Sequence, residues 1–494
     1  MTRLLPIAVF AAAALHAAVI RGVVVENFTG KPLARSVVIL QPVGGTPGDT
    51  RSARAGRFGA FAFDRLPAGY YILKASRKGF LSMEYGQKRW NSAGQPILLR
   101  GDEDTAFCSL RLLLPSAITG TVLDENDIGL PDHEIAAYRL STPPELIRTV
   151  KTDDRGIYRL YGLEPGSYAV RTVGKQYDDG SYLPTFAQEA ARVEDAQHID
   201  LQPETEIAHV DVRPAPGRLF TLTVAIPPPA APPCRITLAS DMGRRTAEGS
   251  VAHFGGLPPG EYEAYGECAA LPDDGAPLRA GYQRFHLQGD QGITLLANPV
   301  RPANVIVSGA PTSASSTAMI RRKDLAGTGK PMPLDLTRGG AAIPPGRWEV
   351  MLTPPAGYYV SGFYGSFHRD AGRADGWNEF LASDYVGIRF QLSGGPGSVR
   401  GTVKSGSDPV PGAPVYLEGW DPAAKKRIGD LHIARTDNLG AYRFDALAPG
   451  AYRILSTFEY LNPDPETMTA ATAQEITIPE HAEKTADLEL YGIR

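Results

Sequence analysis

Gly440-Ala-Tyr-Arg-Phe-Asp-Ala-Leu-Ala-Pro-Gly-Ala-Tyr452 decides the fold. Tyr442 and Phe444 stand two apart with Arg443 between them, so both aromatics fall on one face of a strand and Arg443 on the other. Pro449-Gly450 suits the two central positions of a type II turn, where Pro presets φ and Gly accepts positive φ. Tyr452 and Ile454 then resume the alternation, with Arg453 expected to face solvent. The stretch predicts strand, tight turn, strand, with one buried face.

The same frame recurs along the chain. It is read in Gly156-Ile-Tyr158-Arg-Leu160-Tyr-Gly-Leu163-Glu-Pro165-Gly166-Ser-Tyr168 and in Gly59-Ala-Phe61-Ala-Phe63-Asp-Arg-Leu66-Pro-Ala-Gly69-Tyr-Tyr71. Weaker copies are Phe254-Gly-Gly-Leu257-Pro-Pro-Gly260-Glu-Tyr262 and Ile343-Pro-Pro-Gly346-Arg-Trp348. The anchors Leu66, Leu163, Leu257, Ile343 and Leu447 return every 86 to 104 residues. A period of that size holds a domain with its own core rather than a solenoid repeat. The expected architecture is all-β, a tandem array of about five antiparallel β-sandwich domains, transthyretin-like or immunoglobulin-like. The Pro/Gly-rich junctions divide the chain into 19–115, 116–213, 214–301, 302–396 and 397–494. Each Leu-x-Pro-Gly-x-Tyr also fits a tyrosine corner, whose phenol bonds back to nearby backbone.

Residues 1–18 read as a secretory signal peptide: Arg3, an apolar run from Leu4 to Leu15, then small residues at Ala17 and Ala18. No later stretch is long and apolar enough to span a membrane as a helix. An exported chain is expected, placed in the periplasm, at the cell surface or outside the cell. The formal net charge of -4 supplies no basic field to attract nucleic acid. Three cysteines remain in that setting; Cys234 and Cys268 flank one Pro-Pro-Gly turn and are candidates for a disulfide, whereas Cys108 reads as a buried small hydrophobe.

Gly-Thr-Val strands, Thr-Asp-x-x-Gly-x-Tyr-Arg-Phe/Leu and Leu-x-Pro-Gly-x-Tyr together resemble the carboxypeptidase regulatory-like domain. The matching positions are Gly156, Tyr158, Leu163, Pro165, Gly166 and Tyr168 in one copy, and Gly440, Tyr442, Phe444, Leu447, Pro449, Gly450 and Tyr452 in another. The resemblance is good over 118–171 and 399–455 and moderate over 20–75. It implies a transthyretin-like or carbohydrate-binding-like sandwich and exported multi-domain bacterial proteins, and it implies no particular activity.

Candidate chemistry is sparse. The 9 histidines are scattered, without zinc-peptidase spacing, and no serine occupies a nucleophile elbow. Asp124, Asn126 and Asp127 cluster oxygens near Gly129, but hairpin turns select the same residues for local backbone bonding. No catalytic residue, metal or cofactor is expected. The aromatic tract from Tyr358 to Phe390 is the best binding candidate. Trp377, Tyr385 and Tyr364 are its leading members, and Tyr85 and Trp90 form a smaller group; aromatic faces of this kind stack on sugars. Ala371 to Asn378 reads as an exposed loop. The sequence therefore predicts a non-catalytic envelope module with polysaccharide as its most specific partner, the alternative being a structural spacer or protein-interaction stalk.

Overall fold

The computed structural model describes residues 18–44, 47–101, 103–141, 144–178, 180–229, 231–311, 315–337, 341–365, 373–383 and 386–492. The signal-peptide reading lies outside them except for Ala18, which opens the first strand, Ala18–Glu26. The chain is an all-β array of five two-sheet sandwiches, each with its own core.

The second sandwich shows the plan. Ser116–Thr121 lies between Ile157–Leu163 and Glu206–Ile207 in one sheet. The facing sheet runs Glu145–Lys151, Glu134–Arg139, Gly166–Thr172 and Ile199–Leu201. Pairing is antiparallel except that the last strand runs parallel to the first, Ile207 opposite Ile118. The same parallel closure joins Ala18–Glu26 to Thr105–Leu112, Phe220–Ala225 to Gln291–Thr294, and Asn304–Ser308 to Gly387–Gly394.

The repeated motif has a different geometry from the one its sequence suggests. The strands before and after Pro-Gly belong to opposite sheets, so the turn is an arch that crosses the core, not a hairpin. Register slips just before each anchor, between Tyr161 and Leu163 and at the equivalent places in the first, third and fifth sandwiches. At that slip Arg65, Gly162, Gly256 and Ala446 have φ between +54° and +74°, the left-handed conformation of a bulge residue. The extra residue lets Leu163 point inward after Tyr158 and Leu160 have done so. The turn glycine, Gly69, Gly166, Gly260, Gly346 or Gly450, takes φ from +127° to +155°, well beyond the type II value and open only to glycine.

The corner tyrosines bond back to backbone. Tyr71, Tyr168, Tyr262 and Tyr452 donate their hydroxyls to the carbonyls of Pro67, Glu164, Pro258 and Ala448 at 2.7 to 2.9 Å. In the fourth sandwich Trp348 does the same work with its indole Nε1, 2.8 Å from the Pro344 carbonyl. Each bond spans four residues and closes the arch it follows.

The Thr-Asp pair before the motif is equally structural. Asp153 Oδ1 accepts from the amides of Arg155 and Ile157, and Asp437 Oδ1 from those of Leu439 and Ala441. Thr152 and Thr436 are buried; their hydroxyls donate to the Leu130 and Val410 carbonyls and accept from the His133 and Ala413 amides.

Arg453 does not face solvent. The strand Gly450–Ser456 is central in its sheet, and a second apolar cluster of Tyr416, Leu455, Met468 and Ala471 covers its outer face. Arg453 is 4 % exposed there and bonds Glu418. Both faces of this strand are therefore buried, and alternation alone misassigns its charged residue.

Candidate functional site

Trp377 stands just before the strand Asn378–Ala382, which pairs with Gly346–Thr353. The Asn378 side chain donates to the carbonyls of Ala374 and Gly376 at 2.9 and 2.8 Å, folding 374–378 into a tight turn. The segment expected as an exposed loop is, over 373–378, pressed between the fourth and fifth sandwiches, and Ala374 and Gly376 are buried. A methyl group on Gly376 would lie 2.6 Å from the Gly429 amide nitrogen, so the two backbones touch.

Arg373 makes the firmest grip across this joint. It donates to the Ala451 carbonyl at 2.7 Å, pairs with Asp375, and lays its guanidinium 4.2 Å above the Tyr452 ring. The corner tyrosine of the fifth sandwich is thus also its docking surface. Burial, only partly offset by that guanidinium, pushes the Tyr452 phenol well above its ordinary range.

Trp377 lines a recess of about 420 Å³ at the same joint. Arg321 stacks 4.0 Å from its ring and donates to Glu349 at 2.7 Å. Lys323 bridges Glu349 and Glu379 at 3.1 and 2.6 Å. Asp421 and Lys426 of the fifth sandwich face this network. Trp377 Nε1 is buried and has no acceptor among the described residues. A ligand oxygen could take that bond.

The other predicted aromatics do not join it. Tyr364 ends a strand and is 52 % exposed. Tyr385 lies outside the described residues. Tyr85 packs against the first core, and Trp90 lines a separate recess beside Pro165 and Gly166.

A cleft of about 610 Å³ between the second and third sandwiches escaped the sequence reading. Tyr138, Leu146, Leu238 and Tyr262 line it, and the ion pair of buried Arg171 with Asp241 links the same two sandwiches. No local motif signals it, because its walls come from two sandwiches. The third and fourth sandwiches meet through Arg244, which grips buried Asp324 with two bonds of 2.8 Å. Beside it, fully buried Glu263 accepts from Tyr265, Tyr282 and the Leu325 amide, each at 3.0 Å.

Other polar candidates are satisfied locally. Asp124 accepts from the amides of Asn126 and Ile128, which holds its carboxyl below the usual range. His133 is fully buried, its Nε2 3.0 Å from the Val173 carbonyl and Nδ1 3.0 Å from the Tyr177 hydroxyl. Burial lowers it to about 4, so it is neutral at physiological pH. Burial pushes the Cys108 thiol up to about 11. Cys234 and Cys268 lie directly opposite on neighbouring strands with their sulfurs 2.08 Å apart. Among the described residues no three His, Cys, Asp or Glu side chains gather as metal ligands, and no helix is long and apolar enough to cross a membrane.

No family model and no curated protein matches the chain. Among solved structures it is similar to the Bacillus anthracis TIE protein, at 15% identity and a TM-score of 0.19, over 57% of this chain and 50% of that one. It spans only half the length of that protein. GBS52, the minor pilin of Streptococcus agalactiae, aligns at 11% identity and TM-score 0.26 over 41% of this chain and 97% of its own. BcpA, the major pilin subunit of Bacillus cereus, aligns at 10% identity and TM-score 0.15 over 76% of this chain and 99% of its own.

Proposed function

We propose that the chain is an exported, non-catalytic scaffold of the cell envelope that presents sandwich edges and loops to other proteins. Its second and fifth sandwiches are read as carboxypeptidase regulatory-like units, with the chain divided near 115, 213, 301 and 396. The observation that carries this reading is the third-to-fourth joint. Asp324 is buried with Arg244 as its partner across the boundary. Separating the two surfaces would strand that buried charge, so the pair opposes a change in their relative position. A string of independently tumbling modules has no use for such a bond. Arg244→Ala leaves Asp324 buried without its cation, which costs about 3 kcal/mol or more. Limited proteolysis should then cut the variant near Arg301 at least tenfold faster than wild type, with the sandwiches themselves intact. Equal rates would remove the rigid-scaffold reading.

A second reading, carbohydrate binding, is favoured by the unpartnered Trp377 Nε1 in a polar recess. Its test is tryptophan fluorescence of the chain from Ala18 onward against a panel of polysaccharides. Saturable quenching that falls at least tenfold in affinity in Trp377→Ala would establish a glycan site there. A flat response from wild type across the panel would leave the scaffold alone.

A further inference from the structure

The loop Tyr85-Gly-Gln-Lys-Arg-Trp-Asn-Ser92, which carries the smaller aromatic group, is tightly built. Its base is fixed to the first sandwich. Gly94 donates to Glu84 at 2.8 Å, the Gln95 amide donates to the Tyr85 carbonyl at 2.8 Å, and Tyr85 packs on the first core. Its tip belongs to another sandwich. The Ala93 amide donates to the Phe458 carbonyl at 2.7 Å, and the Asn91 carbonyl accepts from the Leu461 amide at 2.7 Å. Ala93 is 1 % exposed and sits within the core of the fifth sandwich, among Val415, Leu417 and Phe458. Arg89 pairs with Glu459, and Glu84 with Arg435 at 3.4 Å. A methyl group on Gly412 would meet Pro96 at 3.1 Å, so this contact is close throughout.

The remaining neighbours are also joined: first to second by Asn27 and Glu204, second to third by Arg171 and Asp241, third to fourth by Arg244 and Asp324, fourth to fifth by Arg373 and Ala451. We propose that the loop 84–96 is an intramolecular clasp that closes the five sandwiches into a ring. Four joints carry a connecting peptide. The fifth-to-first joint has none; the clasp supplies its hydrogen bonds and ion pairs among the described residues, and Val43 of the first sandwich packs beside it against Gly412. It is therefore the joint at which the ring can open while every sandwich stays folded. Covalent connection through the other four joints keeps the two halves of the clasp at high effective concentration, which favours closure within one chain over pairing between chains. Head-to-tail contacts of this kind close into a ring when their rotations add up, and otherwise propagate as filaments.

A ring has a mechanical signature that an open array lacks: weakening one joint leaves it compact, and weakening two lets it extend. The experiment is small-angle scattering on the full chain as wild type, Arg244→Ala, Ala93→Arg and the double variant. The expected result is a compact particle for wild type and for Arg244→Ala, and for the double variant a radius of gyration larger by up to roughly one half, as units of ordinary domain size move from a circle towards a line. Extension of Arg244→Ala alone would overturn the ring while leaving the third-to-fourth contact as described. Unchanged dimensions in the double variant would also overturn it, provided that proteolysis shows the third-to-fourth junction loosened. Because Ala93→Arg inserts a charge into a core, a second measurement avoids it. The pair Asn91→Cys with Leu461→Cys, whose backbones are already bonded, should form a disulfide within one chain on mild oxidation. No disulfide, or one that links two chains, would overturn intramolecular closure.

Discussion

Glu418→Ala should destabilise the fifth sandwich by about 3–5 kcal/mol, the cost of stranding a buried charge by removing its partner. Glu418 lies on the strand Pro414–Asp421 and is fully buried. Its two oxygens accept from Arg427 Nε and Arg453 Nε, each at 2.6 Å. Arg453 in turn donates to Thr469 and to the Pro465 carbonyl, and Arg427 to the Pro463 carbonyl. One carboxylate therefore orients two guanidinium groups that fasten the short helix Pro465–Ala470 to the sheet. Arg453 also stacks 3.5 Å from Trp420, so neither cation can swing to water without giving up other bonds. Removal of the carboxylate leaves Arg453 inside with no counter-charge. Urea unfolding followed by tryptophan fluorescence would show the transition reported by Trp420 move to lower denaturant while those reported by Trp90 and Trp348 stay in place. Glu418→Gln, which keeps the shape and one carbonyl acceptor, should lose less than the alanine variant. A Glu418→Ala shift below about 1 kcal/mol would mean that the arginines find other partners.

Much of this fold is legible in the sequence, because the repeated signals are local. Alternation places Tyr158 and Leu160, or Tyr442 and Phe444, on the buried face, and the structure buries them. The corner bond follows from a phenol four residues after a carbonyl, and it recurs in every copy, with Trp348 standing in where tyrosine is absent. What is not legible depends on partners distant along the chain. The arch reads as a hairpin because sequence shows that the chain turns, not which sheet receives the next strand. Arg453 reads as exposed because its covering cluster comes from 416 and 468. The surroundings of the candidate site are hidden for the same reason: Trp377 reads as a free loop aromatic until Arg321 is seen stacked on its ring and Gly429 against its neighbour Gly376. Likewise, sequence places Trp90 in a loop but does not show that this loop is bonded to the fifth sandwich.

Gly401→Ala should be the most damaging small substitution in the fifth sandwich, costing roughly 3 kcal/mol, the upper range for overpacking a core. Gly401 lies on the strand Gly397–Ser405, opposite Tyr442. A methyl group there would fall 1.8 Å from the Ala486 carbonyl oxygen, on the chain that returns parallel to this strand. That oxygen is already fixed by the Tyr442 hydroxyl, and the Ala486 amide by the Arg400 carbonyl. The added carbon must therefore push out a bonded backbone rather than a flexible side-chain end. The second sandwich repeats the arrangement with Gly120, Tyr158 and the Val210 carbonyl, 2.0 Å from the would-be methyl, and the first with Gly22, Phe61 and Cys108, at 1.8 Å. In each, an aromatic ring occupies the space that the missing side chain leaves. The third sandwich reverses the exchange: Val224 takes the glycine position and Ala252 the aromatic one, in the same register. Gly and aromatic, or Val and Ala, fill the same layer with similar volume. A glycine with open surroundings gives the control: Gly289→Ala meets nothing within 4 Å and should stay within about 0.5 kcal/mol of wild type. Chemical denaturation of both variants checks the contrast. If Gly401→Ala and Gly289→Ala unfold alike, the glycine–aromatic pair does not set the approach of the closing chain.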